Sequence, residues 1–245
     1  MEGVDKLCGA LENNESCCSV LEHFVFSTYQ GKDSEKSVRL NATASELVLS
    51  KSGLGVCGSR LLAAFLHRCS ELTSLDVSNN EMAPDSNIVG LGALCVAVQR
   101  HQRLQRLTFS GGASSNHQPV TLHNHADTAK FGGKNLGWSG MMLFAAFLPK
   151  CQSLTDVDIS DCNLGTLGAE HVAAALATNS TVQSVDLSGN AIGDDGLKHL
   201  CENLHQNTTI RELKLKNNKI GAAGAEYIAR YHWLTHHKMV SCLGM

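Results

Sequence analysis

The chain has 245 residues, 43% of them hydrophobic and 18% charged, with 20 basic against 23 acidic side chains and a formal net charge of -3. That is enough apolar material to bury a core, which excludes a disordered tail, and the charge balance lacks the cationic excess of a nucleic-acid or anionic-membrane binder. No stretch reaches the roughly 18 apolar residues of a membrane span, and the acidic start MEGVDKLCGALENNES has the character of neither a secretory leader nor a transit peptide.

In chain order, GVDKLCGALENN from Gly3 places Leu7, Cys8 and Leu11 at helical spacing, in the register of Leu200, Cys201 and Leu204. LEHFVFS from Leu21 reads as the weakest copy of the strand that opens each repeat. A stronger series follows: ASELVLSKSGLG from Ala44, LTSLDVSNNEM from Leu72, LQRLTFSGG from Leu104, LTDVDISDCNLGTLG from Leu154, VQSVDLSGNAIGDDG from Val182 and IRELKLKNNKIGAAG from Ile210. The last three starts share a 28-residue step, and the same step separates Ala44 from Leu72. Each copy opens on apolar-x-x-apolar-x-apolar, a short strand, and the clear ones reach Asn80, Cys162, Asn190 or Asn218 before a glycine-marked turn. Ser52 and Gly112 replace that Asn in their copies and are expected to weaken a hydrogen-bonded ladder there. Beyond the second glycine of each turn (Gly58, Gly90, Gly140, Gly168, Gly196) apolar residues recur on one helical face, such as Leu62, Ala63 and Leu66, or Val172, Ala173 and Leu176.

This pattern resembles leucine-rich repeats, specifically the 28-residue class typified by ribonuclease inhibitor, over nearly the whole chain. The resemblance implies an α/β solenoid, a horseshoe arc with a parallel concave sheet and convex helices. The physics agrees: one strand and one returning helix cannot bury their apolar faces alone, whereas stacked units complete a core. Strands stack about 4.8 Å apart and helices about 8 to 10 Å, so the helical side must be the longer. Degenerate repeats or a cap are expected over 1–43, repeats over 44–231, and a tail or degenerate cap over 232–245. The irregular ends fit either a segment of a longer array or a small protein with degenerate caps.

The starts at Leu72, Leu104 and Leu154 are spaced more widely than this period, the second gap much more than the first, so the array is interrupted. The larger insertion, about 113–134, reads ASSNHQPVTLHNHADTAKFGGK, shows neither helical nor strand period, and is expected to be an exposed loop. It holds His117, His123, His125 and Asp127, donor types that suit zinc. A loop without rigid supporting groups is a poor metal site, so no metal or other cofactor is expected and the three histidines are candidate partner contacts.

Strand positions that point away from the core define a candidate binding face: Asp76, Arg106, Asp156, Asp158, Asp161, Asp186, Arg211, Glu212, Lys214 and Lys216. Acid gathers in its middle and base near its C-terminal end. No nucleophile–base or metal motif is present, and an open face excludes little water even where Asp158 and Asp186 adjoin, so no enzyme is expected. The expected role is a non-catalytic protein-interaction scaffold, with a protein partner on the concave face and the strand-to-helix edge loops. The resemblance also implies two alternatives: a GTPase activator of the Ran-directed kind, or the ligand-sensing region of a larger innate-immune receptor.

The 10 cysteines are scattered without a CxxC pair, and about 4% of the chain is below the roughly 8–10% of a disulfide scaffold. They read as reduced thiols of an intracellular, cytoplasmic protein. Four N-x-S/T sequences, at Asn14, Asn41, Asn179 and Asn207, read as by-products of the repeat.

Overall fold

The computed structural model describes residues 2–12, 21–29, 35–83, 87–111 and 117–230. Its elements are α1 (Glu2–Glu12), β1 (His23–Tyr29), β2 (Glu35–Asn41), β3 (Glu46–Val48), α2 (Gly55–Leu66), β4 (Ser74–Asp76), α3 (Val89–Arg100), β5 (Arg106–Phe109), β6 (Val120–His123), β7 (Thr128–Lys130), α4 (Gly137–Phe147), β8 (Asp156–Asp158), α5 (Gly165–Ala177), β9 (Ser184–Asp186), α6 (Gly193–Leu204), β10 (Glu212–Lys214) and α7 (Ala222–Arg230).

Strands β3, β4 and β5 pair in parallel with Glu46, Ser74 and Arg106 in line, and β7 to β10 pair in parallel with Thr128, Asp156, Ser184 and Glu212 in line. The alternation of a strand sends the middle residue of each into the core, where Leu47, Leu75, Leu107, Ala129, Val157, Val185 and Leu213 are buried. Helices α1 to α7 pack each against the next, and Phe65, Phe144 and Phe147 fill the space between helices and strands. This is the mixed α/β repeat with parallel strands that the 28-residue period implies.

The helices begin without side-chain caps: Leu54, Leu136, Leu164 and Ile192 stand where Ser or Asp would be usual. The orphan N–H groups of the first turn are met instead by the following repeat. Leu54 N donates to Asn80 Oδ1 (3.2 Å), Leu164 N to Asn190 Oδ1 (3.3 Å) and Ile192 N to Asn218 Oδ1 (3.4 Å). Each Asn turns its Nδ2 back to the preceding repeat, onto Leu49 O, Ile159 O and Leu187 O, at 2.8 Å in all three. Cys162 takes the same place with a thiol, Sγ donating to Phe131 O at 3.0 Å. The ladder expected from sequence is therefore also the capping device.

The two glycines of each turn answer different demands. Gly165 has φ +61°, a left-handed conformation that costs a side chain energy. Gly90 lies in helical backbone against α2, where a β-carbon would run into the Val56 carbonyl and stand 2.8 Å from its Cα.

Two expectations need correction. The segment about 113–134 is not a structureless loop. β6 runs antiparallel beside β5, with Arg106 opposite His123, and buries Val120 and Leu122. β7 then opens a second sheet, β7–β10, separate from that of β3–β6, with Ala129 and Phe131 buried. Residues 128–130 stand one period before β8, so this is a degenerate repeat whose Ala126, Ala129 and Lys134 hide the apolar pattern. The helix that should separate β5 from β7 is replaced by β6. Gln118 N donates to Lys134 O (3.4 Å) and Lys134 Nζ to Gln118 Oε1 (2.6 Å), tying the top of β6 to the turn after β7. On the helical side α3 packs directly on α4, and Lys150 Nζ donates to Gln99 O (3.0 Å) and His101 O (2.6 Å) at the end of α3. Second, LEHFVFS is not a parallel repeat strand: β1 forms an antiparallel hairpin with β2, which buries Val38 and Leu40 while Phe24 stacks against Phe65. In α1, Cys8 and Leu11 are buried as expected, but Leu7 is exposed. Gly112, Asn14 and the tail over 232–245 lie outside the described residues.

A second ladder, not foreseen, runs through the helix-to-strand turns. Cys69 Sγ points to Asn41 O (3.9 Å), His101 Nε2 to Cys69 O (2.9 Å), Cys151 Sγ to His123 O (3.8 Å) and Asn207 Nδ2 to Asn179 O (3.1 Å). Burial pushes the Cys69 thiol up to about 11 and the Cys151 thiol up to about 12, which keeps both protonated as donors. The N-x-T sequences at Asn179 and Asn207 are part of this ladder: Asn179 Oδ1 accepts from Thr181 N, and Asn207 Oδ1 from Thr209 N.

Candidate functional site

The exposed side of the strands is the face on which sequence placed a partner, and its two halves behave differently. On β3–β5 the charges are satisfied internally. Arg106 Nη2 pairs with Glu46 Oε1 at 2.6 Å, Arg106 Nε donates to Ser74 Oγ at 2.9 Å, and Ser74 Oγ donates to Glu46 Oε1 at 3.2 Å. Asp76 is half-buried and accepts from Ser78 N at 2.9 Å, which holds the turn after β4.

On β7–β10 the outward positions form a row in register: Lys130, Asp158, Asp186 and Lys214. Asp158 Oδ1 accepts from Ser160 N (3.0 Å) and Ser160 Oγ (2.7 Å), and Asp186 Oδ1 from Ser188 N (2.9 Å). One oxygen of each carboxylate thus stabilises its own turn. Asp186 Oδ2 lies 3.9 Å from Lys214 Nζ, which is also 3.7 Å from Glu212 Oε1, and Glu212 Oε2 accepts from Ser184 Oγ at 3.0 Å. Asp156 is exposed and takes the Thr155 hydroxyl at 2.5 Å. Asp161, Arg211 and Lys216 are exposed at the rims, Asp161 in left-handed backbone at φ +50°. The structure therefore brings Asp156, Asp158, Asp186, Glu212 and Lys214 together and keeps Asp76 and Arg106 apart on the other half. Lys130 was missed because the repeat containing it was unrecognised; counting one period back from Asp158 would have found it.

The histidines do not form one cluster. His123 and His125 lie with ring centroids 5.3 Å apart, and His125 Nδ1 contacts Asn124 Oδ1 at 3.3 Å. Burial, then the neighbouring charges of His125 and Arg106, lowers the His123 imidazole below its ordinary value. His117 is half-buried near Gly111 instead. Among the described residues no three His, Cys, Asp or Glu side chains converge on a common metal position, and no helix is long and apolar enough to cross a membrane.

A search of curated proteins gives no match to the chain. A Leucine Rich repeat family profile matches residues 150–173, 178–201 and 206–229. Each matched segment contains one strand and most of the helix that follows it, β8–α5, β9–α6 and β10–α7, at the 28-residue step that spaces the Asn ladder. The chain carries leucine-rich repeats over residues 150–229.

Proposed function

We propose that this protein is a non-catalytic scaffold of the 28-residue, ribonuclease-inhibitor-like class, held in an open solenoid, that binds a protein partner across the exposed face of β7–β10. The row Lys130, Asp158, Asp186, Lys214 carries the reading. At about 4.8 Å per strand it spans roughly 14 Å, offering two carboxylates flanked by two ammonium groups, with Asp156, Asp161, Arg211, Glu212 and Lys216 around them. The Glu46–Arg106 half holds its charges in a close 2.6 Å pair, whereas Lys214 stands at 3.9 and 3.7 Å from Asp186 and Glu212. Lys130, Asp156 and Asp158 are in no ion pair among the described residues, so electrostatic selection of a partner falls on the C-terminal half. The geometry of the interruption supports the same division. β6 ends the sheet of β3–β6 and β7 begins the separate sheet of β7–β10, so the two halves of the face are separate panels. The role is set in the cytoplasm, where buried thiols such as Cys69, Cys151 and Cys162 stay reduced.

The test is quantitative affinity purification from the native cell with the wild-type chain and with Asp158→Lys plus Asp186→Lys. A partner enriched by the first and lost with the second supports the reading. Partner recovery unchanged by the double reversal, with the fold intact, defeats it.

A further inference from the structure

The helical side carries a second surface, independent of the strand face. Three of the most exposed large apolar side chains, Ile88, Val89 and Val96, belong to α3 or its N-terminal boundary, at 50%, 51% and 46% exposure. Val96 lines a groove of about 830 Å³ between α2 and α3, whose apolar part is made by the small side chains Ala63, Ala93 and Ala97 and whose polar part includes His67, Ser70, His101 and Gln102. The later helices present mostly polar groups at their surfaces, Glu170 and His171 on α5, Lys198, His199 and Glu202 on α6, Glu226 and Arg230 on α7, with Leu167 on α5 a single exposed apolar side chain among them. A projecting valine beside a hollow lined by alanines is a knob next to its own hole.

The rim decides what fits. Arg103 is committed to Glu71, at 3.1 Å. Glu12 and Arg100 also line the groove, and neither has an ion-pair partner among the described residues. A partner surface of one sign would be attracted by one of these charges and repelled by the other. A patch bearing both is matched by a copy of itself.

We propose that a second copy of this chain docks on the α2–α3 groove in an isologous pair, each Val96 seated between the alanines of the partner copy and each Arg100 facing the Glu12 of the other. Each copy supplies both the valine and the alanine hollow, and both the acid and the base, that such a contact requires, and the strand face of both copies stays open.

Sedimentation velocity of the full chain, from low to high micromolar concentration, tests this directly. The wild type shows a reversible monomer–dimer equilibrium. Val96→Glu, at an exposed position, leaves the circular dichroism melt unchanged and weakens dimerisation at least about tenfold. Arg100→Glu weakens it, and adding Glu12→Arg restores it, because both swapped charges then meet across the two-fold. A wild type that stays monomeric throughout overturns the proposal. So does a dimer indifferent to Val96→Glu, or an Arg100→Glu defect that Glu12→Arg fails to repair. The charge reversals at Asp158 and Asp186 leave the dimer intact, which separates this outcome from failure of the strand-face reading.

Discussion

Asn190 is the most informative single position for how the repeats hold together. It is fully buried. Its Nδ2 donates to Ile159 O (2.8 Å) and Leu187 O (2.9 Å), and its Oδ1 accepts from Cys162 N (2.9 Å) and Leu164 N (3.3 Å). Nδ2 also reaches Ser188 O at 3.1 Å, so Asn190→Ala removes one side chain and takes a partner from five backbone groups in two successive repeats. At about 1–3 kcal/mol for a buried group left unsatisfied, with partial relief from water and relaxation, the loss is about 3–5 kcal/mol. Against the ~5–15 kcal/mol that separates most folded domains from unfolding, that is a large share. Asn190→Cys reproduces what Cys162 does one repeat earlier, where the thiol reaches Phe131 O at 3.0 Å. It keeps one weak donor and should recover about 1 kcal/mol of the loss. Urea unfolding followed by circular dichroism measures both, with Gln99→Ala at an exposed helical position as the comparison. If Asn190→Ala costs less than about 1 kcal/mol, or if Cys is no better than Ala, the ladder is not what joins these repeats.

Two neighbouring glycines of α3 should respond in opposite directions. Gly90→Ala drives a β-carbon into the α2 backbone at Val56, an overpacking that costs about 1–3 kcal/mol, whereas Gly92→Ala meets nothing within 4 Å and gains helix propensity of up to about 1 kcal/mol; thermal melts of the two variants should bracket the wild type, and equal losses would show that helix packing is not the constraint. Stability should also fall in mild acid. Burial lowers the imidazoles of His101 and His171 below their ordinary value, so the folded state binds fewer protons than the unfolded one. Their contribution is complete above the unfolded value of about 6.5 and is lost as pH drops through the lowered native values. His101→Gln, which can still donate to Cys69 O, should flatten the denaturant midpoint between pH 7 and 5; an unchanged slope would sever that histidine from the effect.

The strands β3, β4, β5, β8, β9 and β10, and the helices α2 to α6, could be read from periodicity because the same side chains recur at the same step. The Asn ladder was legible for the same reason. β7 was not: with alanine at two apolar positions and Lys134 in place of Asn, its pattern fell below what a periodic reading detects. The hairpin of β1 and β2 was misread because one apolar alternation serves a parallel or an antiparallel strand equally well. In the candidate site, Asp156, Asp158, Asp186, Glu212 and Lys214 were found from register alone. Lys130 was lost with β7, and the Glu46–Arg106 pair was not anticipated because it spans 60 residues of sequence.

What the sequence determined by itself is the repeat: strand, glycine turn and helix, with which residues face inward, because burial and turn geometry act within a single repeat and are copied from unit to unit. Which charges are already paired, how the β6 strand takes the place of a helix, and why Lys130 completes the row with Lys214 were decided only by the tertiary structure. Each of these depends on the distance between residues one or more repeats apart, and periodicity carries no information about a place where the period itself breaks.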